Sequence, residues 1–220
     1  AGHMFEARDS WDEAIRHYLD AAAFSEAQRL VEEVSSWAFR TGRWASLLFW
    51  TDSMIDNGSA TPWMYYWRSK VLTDSGRLDD AVQSLQRAKQ GFAARSNSDA
   101  VVRCLLQESS VCRLRSDYAQ AIAKTNQALS IMGEDRDVGL TATGHGILGV
   151  CYGLQGELER GLARLQEALS LFESLGEDRL YDVAMTLHDI GTIYYWVDVE
   201  KYLHYSRKAL AVWRRLDARG

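Results

Sequence analysis

Gly156-Glu157-Leu158-Glu159-Arg160-Gly161, followed by Ala168 and Phe172, is the stretch from which the fold can be read. The same arrangement stands at Gly76-Arg77-Leu78-Asp79-Asp80-Ala81 with Ala88 and Phe92, and at Ser116-Asp117-Tyr118-Ala119-Gln120-Ala121 with Ala128 and Met132. A looser copy is Val197-Asp198-Val199-Glu200-Lys201-Tyr202 with Ala209 and Trp213. The four alanines Ala88, Ala128, Ala168 and Ala209 lie 40, 40 and 41 residues apart, each with a bulky apolar residue four places on. Self-similarity at a fixed period of this order marks a repeat architecture.

Upstream of each motif a small residue recurs, Ser69, Ser109, Gly149 and Gly191, with a larger residue three places later, Leu72, Cys112, Tyr152 and Tyr194. A small residue in mid-helix weakens the helix unless a neighbour must approach closely there. Each unit therefore reads as a helical hairpin: a first helix with the small contact residue, a short turn, and a second helix packing back. Weaker versions at Trp11-Asp12-Glu13-Ala14, Phe24-Ser25-Glu26-Ala27 and Gly42-Arg43-Trp44-Ala45-Ser46-Leu47 extend the pattern upstream. The expected helices are 10–22, 24–41, 43–56, 61–75, 77–95, 99–116, 117–132, 138–154, 157–175, 179–196 and 198–217. The expected fold class is all-α, a right-handed α-solenoid of helical hairpins repeating at about 40 residues.

The composition agrees. The chain has one proline in 220 residues, where average usage gives about eleven, and eight tryptophans. With 47% hydrophobic and 25% charged residues it is not a disordered or low-complexity chain. No apolar run approaches the roughly 18 residues that a membrane helix needs. A net charge of −5 without a dense Lys/Arg cluster argues against direct contact with nucleic acid. Cys104, Cys112 and Cys151 are too few for a disulfide framework and fit a reducing cytosol, so a cytoplasmic location is expected. Ala1-Gly2-His3-Met4 reads as a cloning scar, and 5–220 as a single domain excised from a longer protein, with degenerate hairpins over 5–56 and regular repeats over 60–217. Leu203, Leu210 and Trp213 read as an apolar face without the polar capping helix that normally ends such an array.

No Gly-x-Ser-x-Gly, His-Glu-x-x-His, Cys-x-x-Cys or phosphate-loop pattern occurs, so no catalytic residue, cofactor or metal is expected. His145 with the three cysteines could be imagined as a zinc set. It falls, however, at the repeat position of Tyr65, Leu105 and Leu187, which favours a core histidine and buried thiols. Gly144, Gly146, Gly149 and Gly153 stand at helical spacing and read as close helix packing.

The pattern of small residue, Gly-x-[Leu/Tyr]-x-x-Ala and later alanine resembles the tetratricopeptide repeat over 60–217, with a degenerate form over 5–56. Its period exceeds that family's usual length of about 34 residues. The family often closes its second helix with proline. Here the turns use Ser96-Asn97-Ser98, Gly133-Glu134-Asp135 and Gly176-Glu177-Asp178 instead. Together with Trp11-Asp12-Glu13-Ala14-Ile15-Arg16-His17, Ala21-Ala22-Ala23-Phe24-Ser25-Glu26-Ala27, Gly42-Arg43-Trp44 and Trp50, the longer period is similar to the sensor arms of MalT-like, LuxR-type regulators in the STAND class of signalling ATPases. That resemblance implies a non-enzymatic interaction and sensor domain, binding a protein, a peptide or a small-molecule inducer. It also implies ATPase and DNA-binding domains elsewhere in the parent chain. The alternatives are a free-standing tetratricopeptide scaffold that binds peptide segments, and a helical domain associated with an enzyme.

In a right-handed solenoid of hairpins the first helices line the concave face. Positions six before, three before, one after and four after each small residue should face inward. They select Trp63, Tyr66, Lys70 and Thr73; Arg103, Leu106, Ser110 and Arg113; Thr143, Gly146, Val150 and Gly153; and Met185, His188, Thr192 and Tyr195. The candidate partner contacts are Trp63, Tyr66, Lys70, Arg103, Leu106, Arg113, His188 and Tyr195, rings supplying apolar area and cations holding a carboxylate. Trp11, Trp44 and Trp213 read as core. For Trp63, Tyr66, Trp67, Tyr195 and Trp196, packing against adjacent hairpins is the competing account.

Overall fold

The computed structural model describes residues 10–132, 137–195 and 197–217. The scar at Ala1-Gly2-His3-Met4, the turn at Gly133-Glu134-Asp135 and Trp196 lie outside them. Among the described residues there are eleven α-helices and no strand: α1 (Trp11–Asp20), α2 (Phe24–Arg40), α3 (Trp44–Asp56), α4 (Pro62–Asp74), α5 (Leu78–Ala93), α6 (Ser98–Leu114), α7 (Tyr118–Ile131), α8 (Val138–Leu154), α9 (Leu158–Ser174), α10 (Leu180–Tyr194) and α11 (Val199–Asp217). A 3-10 turn, Glu177–Arg179, leads into α10. The helix ends agree with the sequence expectation to within two residues.

The turns α4–α5, α6–α7 and α8–α9 share one closing device. The N–H groups of Arg77, Asp117 and Glu157 donate back to the carbonyls of Leu72, Cys112 and Tyr152 at 2.8, 2.9 and 2.9 Å. This closure satisfies carbonyls at the helix end and requires a left-handed residue just before the donor. Gly76 (φ +75°) and Gly156 (φ +89°) supply it without penalty, whereas Ser116 (φ +60°) holds the same conformation with a side chain. Helix starts are fixed by Asp117 and Asp137, whose carboxylates accept from the N–H groups of Gln120 and Leu140 at 3.1 and 2.9 Å. Pro62 sits in the first turn of α4, where its missing N–H costs nothing.

The chain divides into two compact units, Ala1–Cys104 and Leu105–Gly220, the division falling inside α6. In the first, Ile15, Leu30, Leu47, Trp50, Met54 and Met64 are fully buried, and Trp11, Trp44 and Trp67 pack against them partly buried. Arg68 of α4 donates to Asp52 of α3 at 2.5 Å and to Ser84 of α5 at 2.7 Å, tying three helices.

In the second unit α8 and α9 meet backbone to backbone. A methyl group on Gly161 would stand 2.7 Å from the Gly149 carbonyl oxygen, and one on Gly149 2.8 Å from the Gly161 oxygen. Ser109 and Ala121 occupy the same places one hairpin earlier, and there the Ser109 hydroxyl donates to the Ala121 carbonyl at 3.0 Å. In α10–α11 Tyr202 takes the alanine's place, and a methyl on Gly191 would meet nothing closer than 3.5 Å. The remaining repeat positions are buried too: Ser69, Ala88, Ala128 and Ala168 fully, Ala209 nearly so. One apolar cluster joins Ala142, Ala168, Phe172, Val183, Leu187 and Ala209, with Trp213 partly buried against it. A second joins Val150, Leu165, Ile190 and Ile193.

Candidate partner-binding face

In the Ala1–Cys104 unit the expected ring-bearing positions form one packed cluster along α4. Trp63 meets Tyr66 edge-on at 5.6 Å and Phe92 of α5 at 4.7 Å, and Tyr66 meets Trp67 at 5.4 Å. Trp63 and Tyr66 stand one turn apart and so are neighbours on the helix, and rings prefer edge-to-face contacts. Tyr66 is left only 8% exposed. Its expected place on an accessible face is therefore corrected: flanking tryptophans cover it. Trp63 keeps a half-buried surface. The Lys70 ammonium lies 4.7 Å over the Phe39 ring, a cation–π contact. Thr73 is buried and donates to the Ser69 carbonyl at 2.7 Å. Arg103 is half-buried and engaged within the fold.

In the Leu105–Gly220 unit Leu106 is 3% exposed, which corrects its expected role as well: it serves the interior. Arg113 of α6 is half-buried. On α8 Val150 belongs to the cluster with Ile190 and Ile193, and Gly153 lets Ile193 of α10 lie directly against the α8 backbone. Met185, His188 and Thr192 of α10, with Tyr195 capping its end, are all exposed and form one stripe at helical spacing. Thr192 donates to the His188 carbonyl at 3.0 Å, and Tyr195 stands edge-on to Tyr202 at 5.1 Å.

Beside that stripe lies Asp189, a residue the inward-facing count passes over. It keeps some solvent-accessible surface, yet protein crowds its carboxyl, and burial pushes it up to about 6. The Arg113 guanidinium, and more weakly His188, oppose the rise. Burial pushes the Cys151 thiol on α8 up to about 11, against the Arg113 guanidinium. The signal for Asp189 was present in the repeat. Two places before the small residue the chain has Trp67, Gln107, Ile147 and then Asp189, a carboxylate where uncharged residues stand in the other units.

His145 reaches across to α9. Its Nδ1 lies 2.6 Å from Glu167 Oε2 and 3.3 Å from Arg164 Nη1, a polar tie between α8 and α9. Among the described residues no group of three or more His, Cys, Asp or Glu is placed to share a metal ion. No described helix is long and apolar enough to cross a membrane. On the outer face of α11, Leu203 and Leu210 are 42% and 49% exposed. They occupy the repeat positions of Leu162 and Leu169, which pack against the cluster containing Ile190 and Ile193.

No family model matches the sequence, and no curated protein matches it. Solved structures do. A Rap protein complexed with the Competence and Sporulation Factor aligns with a TM-score of 0.67 at 14% identity, over 100% of this chain and 74% of that one. BtubC (BKLC) from P. vanneervenii aligns at 0.59 and 15% identity, over 97% and 91% of the two chains. The STAND protein with a tetratricopeptide repeat sensor PH0952 from Pyrococcus horikoshii aligns at 0.54 and 14% identity, over 100% of this chain and 36% of that one. At these identities the likeness is one of fold: the chain is built of tetratricopeptide-like helical hairpins.

Proposed function

We propose that the chain is a non-enzymatic protein-interaction and sensor module, receiving a protein or peptide segment on the first-helix face of its Leu105–Gly220 unit. The observation that carries this reading is the exposed stripe Met185, His188, Thr192 and Tyr195 on α10, beside the half-buried Arg113 and Asp189. Helices whose other faces are occupied by packing thus present apolar, aromatic and charged groups side by side, the mixture that anchors partners. On the Ala1–Cys104 unit, taken by itself, Trp63, Lys70 and Arg103 are further candidate contacts.

The wider role is the sensor arm of a STAND-type, MalT-like transcriptional regulator. The long-period repeat and the fold likeness to the Pyrococcus horikoshii protein support it. A partner or small-molecule inducer would bias a resting ATPase carried elsewhere in the parent chain, which requires different affinities for its two states. A free-standing scaffold is the second reading. The coding sequence on either side separates them: a phosphate loop upstream and a helix-turn-helix downstream are expected, and the lack of both removes the regulator role. The binding face is tested by selecting a random heptapeptide library against the whole chain. The double variant His188→Ala/Tyr195→Ala should bind the selected peptides about tenfold or more weakly, the scale of two anchoring contacts. Failure to select any peptide, or undiminished binding by the variant, refutes the face.

A further inference from the structure

Asp189 is an unusual residue for its position. Ile147 and Gln107, its counterparts on α8 and α6, are uncharged and buried, and Trp67 on α4 is uncharged and partly buried. A carboxylate in such surroundings is costly unless hydrogen bonds or an ion pair offset the loss of water. Among the described residues neither reaches it: Arg113 acts on Asp189 electrostatically without closing an ion pair. On the neighbouring α8 the side chains are apolar and buried, with Ile147, Val150 and Cys151 at 7%, 8% and 0% exposure and Val150 packed with Ile190 and Ile193 of α10. Arg113 on α6 and Asp189 on α10 thus carry opposite charges that act on one another without a salt bridge between them. Among the described residues neither closes an ion pair, and both sit on regular helices that fix their positions. Such preorganised charge suits a ligand that brings both complementary signs. The stripe from Met185 to Tyr195 runs about 15 Å at the helical rise, the length of roughly four to five extended residues. That length favours a peptide chain over a compact small molecule.

The geometry points to Asp189 as the receiving carboxylate for a basic side chain, Lys or Arg, of an extended peptide, with Arg113 taking a carboxylate of the same segment. This rests on the reading of the first-helix face as a partner surface and adds the charge pattern of the partner.

The peptides selected from the heptapeptide library against the wild-type chain provide the test. Lys or Arg should be enriched at one position and an acidic residue or the peptide's C-terminus near it. Replacing that Lys or Arg by Gln in the peptide should weaken binding to the wild type about 10- to 100-fold, the scale of a charge-assisted contact. The same peptide change should have little effect on the Asp189→Asn variant, because the two changes remove one interaction. The peptide-side substitution leaves the protein untouched, so a folding defect in the variant cannot imitate the result. Selected peptides without a basic position, or an equal loss with wild type and Asp189→Asn, overturn the charge assignment while the interaction face stands. Selection of no peptide overturns both.

Discussion

Replacing Asp189 by asparagine should stabilise the chain at neutral pH and change little in acid. Burial raises the carboxyl from its ordinary 3.8 to about 6. The folded state thus holds the proton more tightly than the unfolded chain does. The resulting stabilisation is fully present below about pH 4 and is lost as pH rises through about 6. At about 1.4 kcal/mol for each tenfold change in proton affinity, the loss comes to about 3 kcal/mol. Arg113 and His188 act in the opposite direction and are already contained in that balance. Asparagine does not titrate, so the stability difference between wild type and Asp189→Asn should move by about 2–3 kcal/mol in favour of the variant between pH 4 and pH 8. Urea denaturation followed by far-UV circular dichroism at several pH values measures it, and titrations common to both proteins cancel in the difference. A difference that stays flat across that range, or that moves in favour of the wild type, would refute the assignment of a desolvated carboxylate. A side chain that destabilises its own fold at neutral pH is what a site retained for binding would show.

Three further substitutions probe the hairpins. Gly149→Ala pushes a methyl to 2.7 Å from Leu165 Cγ and 2.8 Å from the Gly161 oxygen, and should cost about 1–3 kcal/mol despite the better helix propensity of alanine. The corresponding Gly191→Ala has room at 3.5 Å and should be neutral or stabilising by up to about 1 kcal/mol. Equal effects in urea melts would show that the two hairpins are not packed differently. Ser116→Gly relieves the left-handed serine at φ +60° and should raise stability by about 0.5–1 kcal/mol, because the relief exceeds the added freedom of the unfolded chain. No gain by the same measurement counts against strain at that turn.

The hairpins were legible because their determinants are local and repeated. The left-handed turn residue, the small residue on the first helix and the alanine on the second recur in register, and a period survives drift at any single position. The accessible face was only partly legible. Counting from the small residue finds the α10 stripe from Met185 to Tyr195, but the same count selects Tyr66 and Leu106, which are buried. Exposure depends on what neighbouring side chains do. Three rings in succession on α4 cover one another, and helical phase carries no trace of that. Asp189 was missed for the converse reason: its phase marks a packing position, and only comparison with Gln107 and Ile147 shows a charge out of place.

The seam between Gly149 and Gly161 also has a mechanical meaning. Where two backbones touch, no side chain between them can rotate to absorb a load, so α8 and α9 can slide or part only by breaking many contacts at once. Between α10 and α11 the atoms around Gly191 are the Tyr205 and Ser206 side chains at 3.5 Å and the Tyr202 carbonyl at 3.6 Å, a looser approach in which the two side chains can adjust their torsions. The Leu105–Gly220 unit thus sets a stiff hairpin beside a compliant one, and the stripe of α10 belongs to the compliant partner.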